Sequence, residues 1–380
     1  MPEAPQSSFV PRRASDDGRE PGGGGELRAA AALSSCGIGG VAAAGLRAKF
    51  GSLAQALLAG ASAMTGAVAL AEHVRLRVVS ADLAALAATA VEDAARVGAT
   101  LVAFGGPDYP PALAEIASPP PVLWVRGALA CEATRVAIVG ARETDAYGRE
   151  LAESIASGLA RAGVEVVSGG AAGVDAAAHE GALRAGGRTV AVFGTGIDRA
   201  FPAMNHDLFE RIERAGALVS ELPVGDRGHR GAFPARNRLI SGLSLGVVVV
   251  RAGEHSGSLQ TAAHAKKQGR RVLAVPGDLR DALSVGPMLL LRDGAVPVAN
   301  AADVLAALGL PPAPATPAPD LSALGGAEKD VLGALGARPR QLDDLAQTLG
   351  VNGSSLLRTL TGLELAGLCV QRPGKYFQRA

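Results

Sequence analysis

Two arginines and a group of small hydroxyl residues in the second half of the chain have the side chains that bind phosphate. Arg236 and Arg238 flank Asn237 within the segment Phe233–Ser244, and Ser256-Gly257-Ser258 follows downstream. Guanidinium groups match phosphate oxygens with two parallel hydrogen bonds. A Ser-Gly-Ser sequence at the start of a helix offers hydroxyls and free backbone amides to an anion. The spacing predicts a sheet-edge loop beside a helix N-terminus, a site that suits a chain of phosphates.

Basic residues concentrate around this segment. Between Arg227 and Arg271 nine arginines and lysines accompany one acidic residue, Glu254, which gives +8, whereas the whole chain carries +1. With so small a net charge, no global field favours nucleic acid, and a basic site must be local. Aromatic residues make up only 3% of the chain, so we expect binding led by phosphate contacts and not by base stacking.

Asp175 and His179 form a second candidate pair, because residues four apart on a predicted helix share one face. They could act as acid and base, or they could organise the preceding loop through hydrogen bonds. We favour the second interpretation, since no nucleophile or set of metal ligands accompanies them.

Motifs for other chemistries are missing. The chain has no Gly-x-x-x-x-Gly-Lys-Ser/Thr sequence, and Gly194-Thr-Gly-Ile-Asp-Arg199 lacks the third glycine of a dinucleotide fingerprint. The cysteines, at 36, 131 and 369, are isolated and fit neither a zinc site nor a disulfide framework. We therefore expect no cofactor, no metal, no membrane span and a cytoplasmic location.

The elements that must position these residues alternate as short apolar strands and helices between Val136 and Gly294. Glycines follow the predicted strands at Gly140, Gly169-Gly170 and Gly194. This alternation predicts an α/β fold with a Rossmann-like, doubly wound, mainly parallel sheet. In such a sheet, ligands bind at the carboxyl ends of the strands, where these glycines lie.

The flanking segments predict further domains. The full division is a disordered tail (1–25), a small helical module (26–95), the Rossmann-like domain (96–308), a Pro/Ala linker (309–323) and a winged helix (324–380). Gly37-Ile38-Gly39 between two short helices is similar to a helix–hairpin–helix (SAM-like) turn that meets DNA; a plain protein-contact turn is equally compatible. The third winged-helix helix carries only Arg358 as a basic residue, which is poor for reading a major groove.

Several sequence blocks appear in a fixed order through this region: Val139-Gly-Ala-Arg142, Ser168-Gly-Gly-Ala-Ala-Gly-Val-Asp175, Phe201-Pro202, Ser220-Glu-Leu-Pro223, Phe233-Pro-Ala-Arg-Asn-Arg238 and Ser256-Gly-Ser258. Together they resemble the DNA-processing protein A (DprA/Smf) family. The resemblance implies a protein without enzymatic activity that binds single-stranded DNA, protects incoming DNA and loads the RecA recombinase in natural transformation. It further implies a homodimer, with single-strand-binding protein as another candidate partner.

By these motifs the DNA-facing residues would be Arg142, Ser168, Gly169, Gly170, Gly173, Asp175, Phe233, Arg236, Asn237, Arg238, Ser256, Gly257 and Ser258. Two positions depart from the family pattern: Arg251 stands where Glu is usual, and Met288 where Asn is usual. We expect Arg251 to add charge near the site.

Two other functions remain open. A Rossmann-like nucleotide-processing hydrolase of the phosphoribohydrolase type would also use glycine-rich strand ends, but its Pro-Gly-Gly-x-Gly-Thr motif is replaced here by Pro276-Gly277-Asp278. A winged-helix transcription factor would rest on residues 324–380 alone.

Overall fold

Strands with apolar runs pair into a nine-stranded sheet within the part of the chain that the computed structural model describes, residues 23–278, 280–313, 321, 324–336, 339–372 and 374–379. The chain divides into two units, Met1–Pro314 and Ala315–Ala380. The nine strands belong to the first unit: β1 (Thr100–Ala103), β2 (Val122–Gly127), β3 (Arg135–Val139), β4 (Glu165–Ser168), β5 (Thr189–Val192), β6 (Ala217–Ser220), β7 (Gly246–Val249), β8 (Arg271–Ala274) and β9 (Val296–Pro297).

The sheet has the order β1-β2-β6-β5-β4-β3-β7-β8-β9. All pairs from β6 to β9 are parallel, while β1 and β2 join antiparallel at one end. From β3 the chain moves outward through β4, β5 and β6, then returns to the other side of β3 with β7. The predicted doubly wound, mainly parallel sheet is confirmed, and its direction of winding reverses between β3 and β7.

Helices cover both faces of this sheet. The eight helices described between the strands and after them are α7 (Pro111–Ala114), α8 (Ala146–Arg161), α9 (Val174–Arg184), α10 (His206–Ala215), α11 (Ala232–Gly242), α12 (Gly257–Lys267), α13 (Val285–Arg292) and α14 (Ala301–Ala307). Strand residues such as Val166, Val190 and Val248 are fully buried, as expected where helices pack on both faces.

The N-terminal segment forms six helices within the described residues: α1 (Gly23–Ser35), α2 (Gly40–Phe50), α3 (Leu53–Ala59), α4 (Ala61–Ala67), α5 (Glu72–Ser80) and α6 (Leu83–Arg96). Leu33 and Leu46 of these helices share an apolar cluster with Trp124 of β2 and Phe209 of α10. Helix α1 begins at Gly23, three residues before the predicted module, and Glu26 in its first turn accepts hydrogen bonds from Arg47 and the Ala54 amide. Of the predicted tail, residues 1–22 lie outside the described residues.

The Gly37–Gly39 turn is where α2 begins. A Cβ on the neighbouring Gly40 would overlap the Pro119 carbonyl oxygen and the Ser118 backbone, so only glycine allows this close approach. The start of α2 is therefore packed against the chain's own backbone. This geometry favours the protein-contact interpretation of the turn over a DNA-binding hairpin.

The second unit contains α15 (Gly326–Ala334), β10 (Arg340–Gln341), α16 (Leu342–Leu349), α17 (Gly353–Leu365), β11 (Cys369–Arg372) and β12 (Tyr376–Arg379). Its strands pair antiparallel in the order β10-β12-β11. Leu332, Leu345, Leu360 and Phe377 form its core. Three helices and a β-ribbon make the predicted winged helix. Most of the predicted linker (314–320, 322 and 323) lies outside the described residues.

No helix in the described ranges is both long enough and apolar enough to cross a membrane.

Candidate functional site

A cleft of about 610 Å³ opens at the carboxyl ends of β3 and β7. The winding of the sheet reverses between these two strands, which is where open α/β sheets bind ligands. Of the predicted residues, those that line the cleft are Arg142, Asp175, Phe233, Arg236, Asn237, Ser256, Gly257 and Ser258. The cleft thus brings together residues from four segments of the chain, 140–143, 171–175, 233–240 and 253–261, each of which contributes part of its lining.

The first wall of the cleft is the loop after β3. Its backbone is fixed by the Ala141 amide, which donates to the Arg251 carbonyl over 2.6 Å, and by the Ala141 carbonyl, which accepts from the Val174 amide over 3.1 Å. Gly173 has φ +78°, and a Cβ there would overlap the carbonyl oxygens of Ala141 and Arg142. The Arg142 side chain is exposed, and no carboxylate in the described part of the chain pairs with it. This loop therefore presents an uncompensated guanidinium at the cleft.

The opposite wall is the N-terminus of α12. Ser256 caps the helix, and its Oγ accepts from the Ser258 amide at 3.4 Å and lies 2.8 Å from the Ser258 Oγ. Asn237 Nδ2 donates to the Gly257 carbonyl over 3.3 Å and so ties α11 to this wall. First-turn amides and the helix dipole attract negative charge. Ser256 is thus the N-cap that the sequence predicted, and binding of an anion at this wall stays a prediction.

The floor of the cleft holds a buried guanidinium and a buried carboxylate. Arg236 is 6% exposed, and its Nη1 donates to the carbonyls of Gly169 (2.8 Å) and Val192. Burial lowers the pKa of Arg236 to about 10, against the opposing attraction of Asp175. Asp175 accepts from the amides of Gly169 (3.2 Å) and Ala171 (3.3 Å). Burial raises the pKa of Asp175, and Arg236 opposes this increase.

These contacts correct the expectation that both arginines present their heads to the ligand. The two arginines lie on helix α11, which follows the loop after β6, so positions 236 and 238 point in different directions. Arg236 is turned inward onto backbone carbonyls. Arg238 is bound to Glu221 with two hydrogen bonds of 2.7 and 2.6 Å and lies outside the described lining of the cleft.

Three of the predicted residues, Ser168, Gly169 and Gly170, lie at the end of β4 and the start of the loop that follows. Ser168 is fully buried, and its Oγ donates to the Ile138 carbonyl over 2.6 Å. A Cβ on Gly169 would come within 2.8 Å of both Arg236 Nη2 and Asp175 Oδ2, and one on Gly170 would come within 2.6 Å of the Phe209 ring. These positions shape the site without offering it a functional group.

Asp175 and His179 do not bond to each other. The Nδ1 of His179 lies 2.7 Å from Thr189 Oγ1, whose single proton is donated to the Val166 carbonyl, so His179 Nδ1 donates to the threonine oxygen. Burial lowers the pKa of His179 to about 3, with a smaller contribution from the charge of Arg236. With Asp175 bonded to loop amides, this geometry fits the loop-organising interpretation.

Arg251 does not add free charge to the site, contrary to the sequence-based expectation. Its guanidinium is 3.0 Å from Asp145 Oδ2 and 2.5 Å from Asp281 Oδ2, and it donates to Ser284 Oγ over 3.0 Å. Both carboxylates are far from position 251 in the sequence, so the pattern of basic residues gave no sign of them. Met288 lies half-buried on α13, outside the described lining of the cleft.

A feature that sequence reasoning missed is an aromatic pair beside the cleft. The rings of Phe201 and Phe233 lie 5.3 Å apart and line a smaller cavity of about 120 Å³ together with Arg142. Phe201 is 53% exposed. The Phe201-Pro202 motif is the sequence feature that could have indicated this ring as part of the site. Exposed aromatic rings next to a phosphate site can stack on nucleobases, so the low overall aromatic content did not exclude local stacking.

Comparisons with known proteins agree with this architecture. The family model described as DNA recombination-mediator protein A matches residues 100–309, and the DprA winged helix domain model matches residues 311–375. Protein Smf of Synechocystis sp. is 35% identical over 311 residues, which are 72% of this chain and 78% of that protein. The putative DNA processing protein DprA of Mycobacterium tuberculosis is 40% identical over 265 residues, 68% of each chain.

Two solved structures are also similar. DNA processing protein A of Streptococcus pneumoniae superposes with a TM-score of 0.64 at 33% identity, covering 72% of this chain and 95% of that one. The Helicobacter pylori protein, reported for its single-stranded DNA binding mode, has a TM-score of 0.50 at 30% identity and covers 56% of this chain and 97% of its own. By its family models, its relatives and its fold, the chain belongs to the DNA recombination-mediator protein A (DprA/Smf) family.

Proposed function

We propose that the cleft between β3 and β7 binds the phosphate backbone of single-stranded DNA. The observation that carries this proposal is the exposed Arg142, free of any described carboxylate partner, in the same cleft as the first-turn amides of α12. A guanidinium and a helix N-terminus are complementary to phosphate oxygens. The single-strand binding reported for the Helicobacter pylori relative supports the same ligand.

The form of the site favours a single strand over a duplex. Duplex recognition uses a helix or ribbon that protrudes into a groove, whereas this site is concave and within the roughly 300–1,000 Å³ range of small-ligand pockets. An extended strand can place its phosphates against the cleft one after another. The exposed ring of Phe201 then lies beside the strand, where a base can stack.

Within this proposal the protein is a recombination mediator without catalytic activity. It protects incoming DNA and loads the RecA recombinase, and it works as a homodimer, with single-strand-binding protein as a further partner.

The two carboxylates that line the cleft do not make a hydrolytic pair: Glu143 is exposed, and Asp175 is held by loop amides. Incubation with nucleoside monophosphates and chromatography of the products should show no released base; steady turnover would instead establish the phosphoribohydrolase alternative.

Fluorescence anisotropy with labelled oligonucleotides tests DNA binding. We expect tighter binding of single-stranded than of double-stranded oligonucleotides, and a logarithm of affinity that falls with the logarithm of salt by about 0.7 per phosphate neutralised. Arg142→Ala should weaken binding and reduce this slope by about 0.7. Equal affinity for both DNA forms, or an unchanged slope in the variant, would overturn the proposal.

Arg161 supplies a matched control for Arg142. It is also exposed, but it is the last residue of α8, a helix of 16 residues and about 24 Å whose first turn follows the Arg142 loop. Arg161→Ala removes the same charge and should leave affinity and slope unchanged.

The mediator role needs a separate assay. RecA strand exchange on DNA coated with single-strand-binding protein should start sooner when the wild-type protein is present, and Arg142→Ala should lose this effect. If binding persists without stimulation of RecA, the mediator role fails while the binding site stands.

A further inference from the structure

Arg251 occupies a buried position next to the cleft, with its charge already satisfied. The side chain is 7% exposed and contacts Asp145, Asp281 and Ser284. Asp145 also caps α8 by accepting from the Gly148 amide over 2.8 Å, and Asp281 accepts from the Leu283 amide over 2.9 Å. Two carboxylates from separate loops therefore hold the guanidinium and balance its charge, so Arg251 is not available to bind a phosphate.

One further contact of this guanidinium is with an aromatic ring. The Cζ atom of Arg251 lies 5.8 Å from the centroid of the Tyr147 ring, within the range of a cation–π interaction. Gly148, the next residue, leaves room for this approach, because a Cβ there would come within 2.7 Å of Arg251 Cγ. The ring thus rests on a guanidinium that is itself held in place.

Tyr147 nevertheless remains 56% exposed. It lies in the first turn of α8, two residues after Asp145, and the loop immediately before it carries Arg142 and Glu143 of the cleft wall. An exposed tyrosine ring that already contacts a held guanidinium loses little side-chain entropy when a nucleobase stacks on it. Such a ring beside a phosphate site matches the stacking platforms of single-strand binders.

We infer that Tyr147 is a second nucleobase platform, held by Arg251, for a base that follows or precedes the phosphate bound at Arg142. This inference rests on the proposed binding of single-stranded DNA. It gives the strand a ring in the first turn of α8, distinct from the Phe201–Phe233 pair. It also gives Arg251 the role of a positioning residue that touches the ring and not the DNA.

Tryptophan fluorescence provides the direct test. The native chain has one tryptophan, Trp124, which is fully buried, so Tyr147→Trp adds one reporter at the platform. Saturation with an oligothymidylate should quench the new emission, and the same oligonucleotide with abasic sites should bind with much less quenching. Emission unchanged at saturation, with binding confirmed by anisotropy of a labelled strand, would overturn the inference.

Affinity measurements supply the second arm. Tyr147→Leu should weaken binding by about 5- to 100-fold, the range of one stacked base, while Tyr147→Phe, which keeps the ring, should retain wild-type affinity. In an Arg251→Met background, with folding checked by circular dichroism, the loss caused by Tyr147→Leu should shrink. Full additivity would remove Arg251 as the positioning residue. Absence of any single-strand binding by the wild type would instead overturn the proposed function.

Discussion

Arg238 donates two hydrogen bonds to the carboxylate of Glu221, at 2.7 and 2.6 Å, and both side chains are less than one-fifth exposed. The pair joins α11 to the segment after β6. The backbone carbonyl of Arg238 also accepts from Gln268 Nε2 at 2.9 Å, which connects α11 to the end of α12. Arg238 therefore holds together the two helices that line the cleft.

Arg238→Ala should lower the free energy of unfolding by about 1–3 kcal/mol, because it leaves the carboxylate of Glu221 partly buried and unpaired. The slope of DNA affinity against salt should not change, since the guanidinium does not reach the ligand. Urea unfolding and oligonucleotide anisotropy measure the two effects. Arg96→Ala, which removes an exposed pair with Asp93, is the control and should cost less than about 1 kcal/mol. A reduced salt slope for Arg238→Ala would show that this arginine does contact phosphate.

Substitution of Arg236 should mainly reduce the stability of the fold, whereas substitution of Arg142 should mainly reduce the affinity for DNA. Arg236→Met keeps an apolar chain of similar length but leaves the carbonyls of Gly169 and Val192 and the charge of Asp175 without their partner. We expect a loss of about 3 kcal/mol or more in the free energy of unfolding. Arg142→Met, at an exposed position, should be close to neutral for stability and should weaken DNA binding. The prediction fails if Arg236→Met unfolds at the same urea concentration as the wild type.

The sheet was predictable from the sequence because a strand that is buried on both faces consists of a nearly continuous run of apolar residues. The apolar run Val136–Val139, where the predicted alternation begins, forms β3, which the structure has at Arg135–Val139. The glycines after β3 and β4 marked the edge where the cleft opens. These signals are local: a short run of side chains specifies the strand, and the positive φ or close approach that follows requires glycine.

The charge of the site was not predictable in the same way. The +8 counted between positions 227 and 271 does not surround the ligand, because Arg251 is bound by Asp145 and Asp281, and Arg270 by Glu115. Asp145 and Glu115 lie 106 and 155 positions away from the arginines that they bind, and only folding brings them close. A count along the chain finds the basic residues but not the carboxylates that pair with them in the folded protein.

Gly173 should be intolerant of any side chain. Its φ is +78°, and a Cβ would overlap the carbonyl oxygens of Ala141 and Arg142, so Gly173→Ala must displace the Arg142 loop. Gly163 is the matched control, because it has φ +76° but a Cβ there would meet no neighbouring atom within 4 Å. Gly163→Ala should cost only the strain of the left-handed backbone, about 1–2 kcal/mol. Gly173→Ala should cost more and should also weaken DNA binding; equal effects of the two changes would contradict this account.

Acid should destabilise the protein through His179. Its pKa is about 3 in the folded state and about 6.5 when unfolded, so below pH 6.5 the unfolded chain binds a proton that the folded chain does not. This contribution to stability is present above pH 6.5 and is lost as the pH falls towards 3, by about 1.4 kcal/mol per pH unit. Asp175 acts in the opposite direction, because its folded pKa is raised: its contribution is fully present below its unfolded value, near 3.8, and is lost as the pH rises through the raised value.

A difference measurement isolates the histidine from Asp175. His179→Asn places an amide nitrogen near the position of Nδ1, which keeps a donor for Thr189 Oγ1, and it does not titrate. Urea unfolding at half-unit steps from about pH 8 to pH 4.5 should give parallel curves for the wild type and the variant above pH 7, since the wild-type histidine is then neutral in both the folded and the unfolded state. Below pH 6.5 the wild type should lose stability faster, approaching an extra loss of about 1.4 kcal/mol per unit. Curves that stay parallel down to pH 4.5 would show that His179 is protonated in the folded protein and that its burial among Thr189 and the neighbouring strands does not exclude the charge.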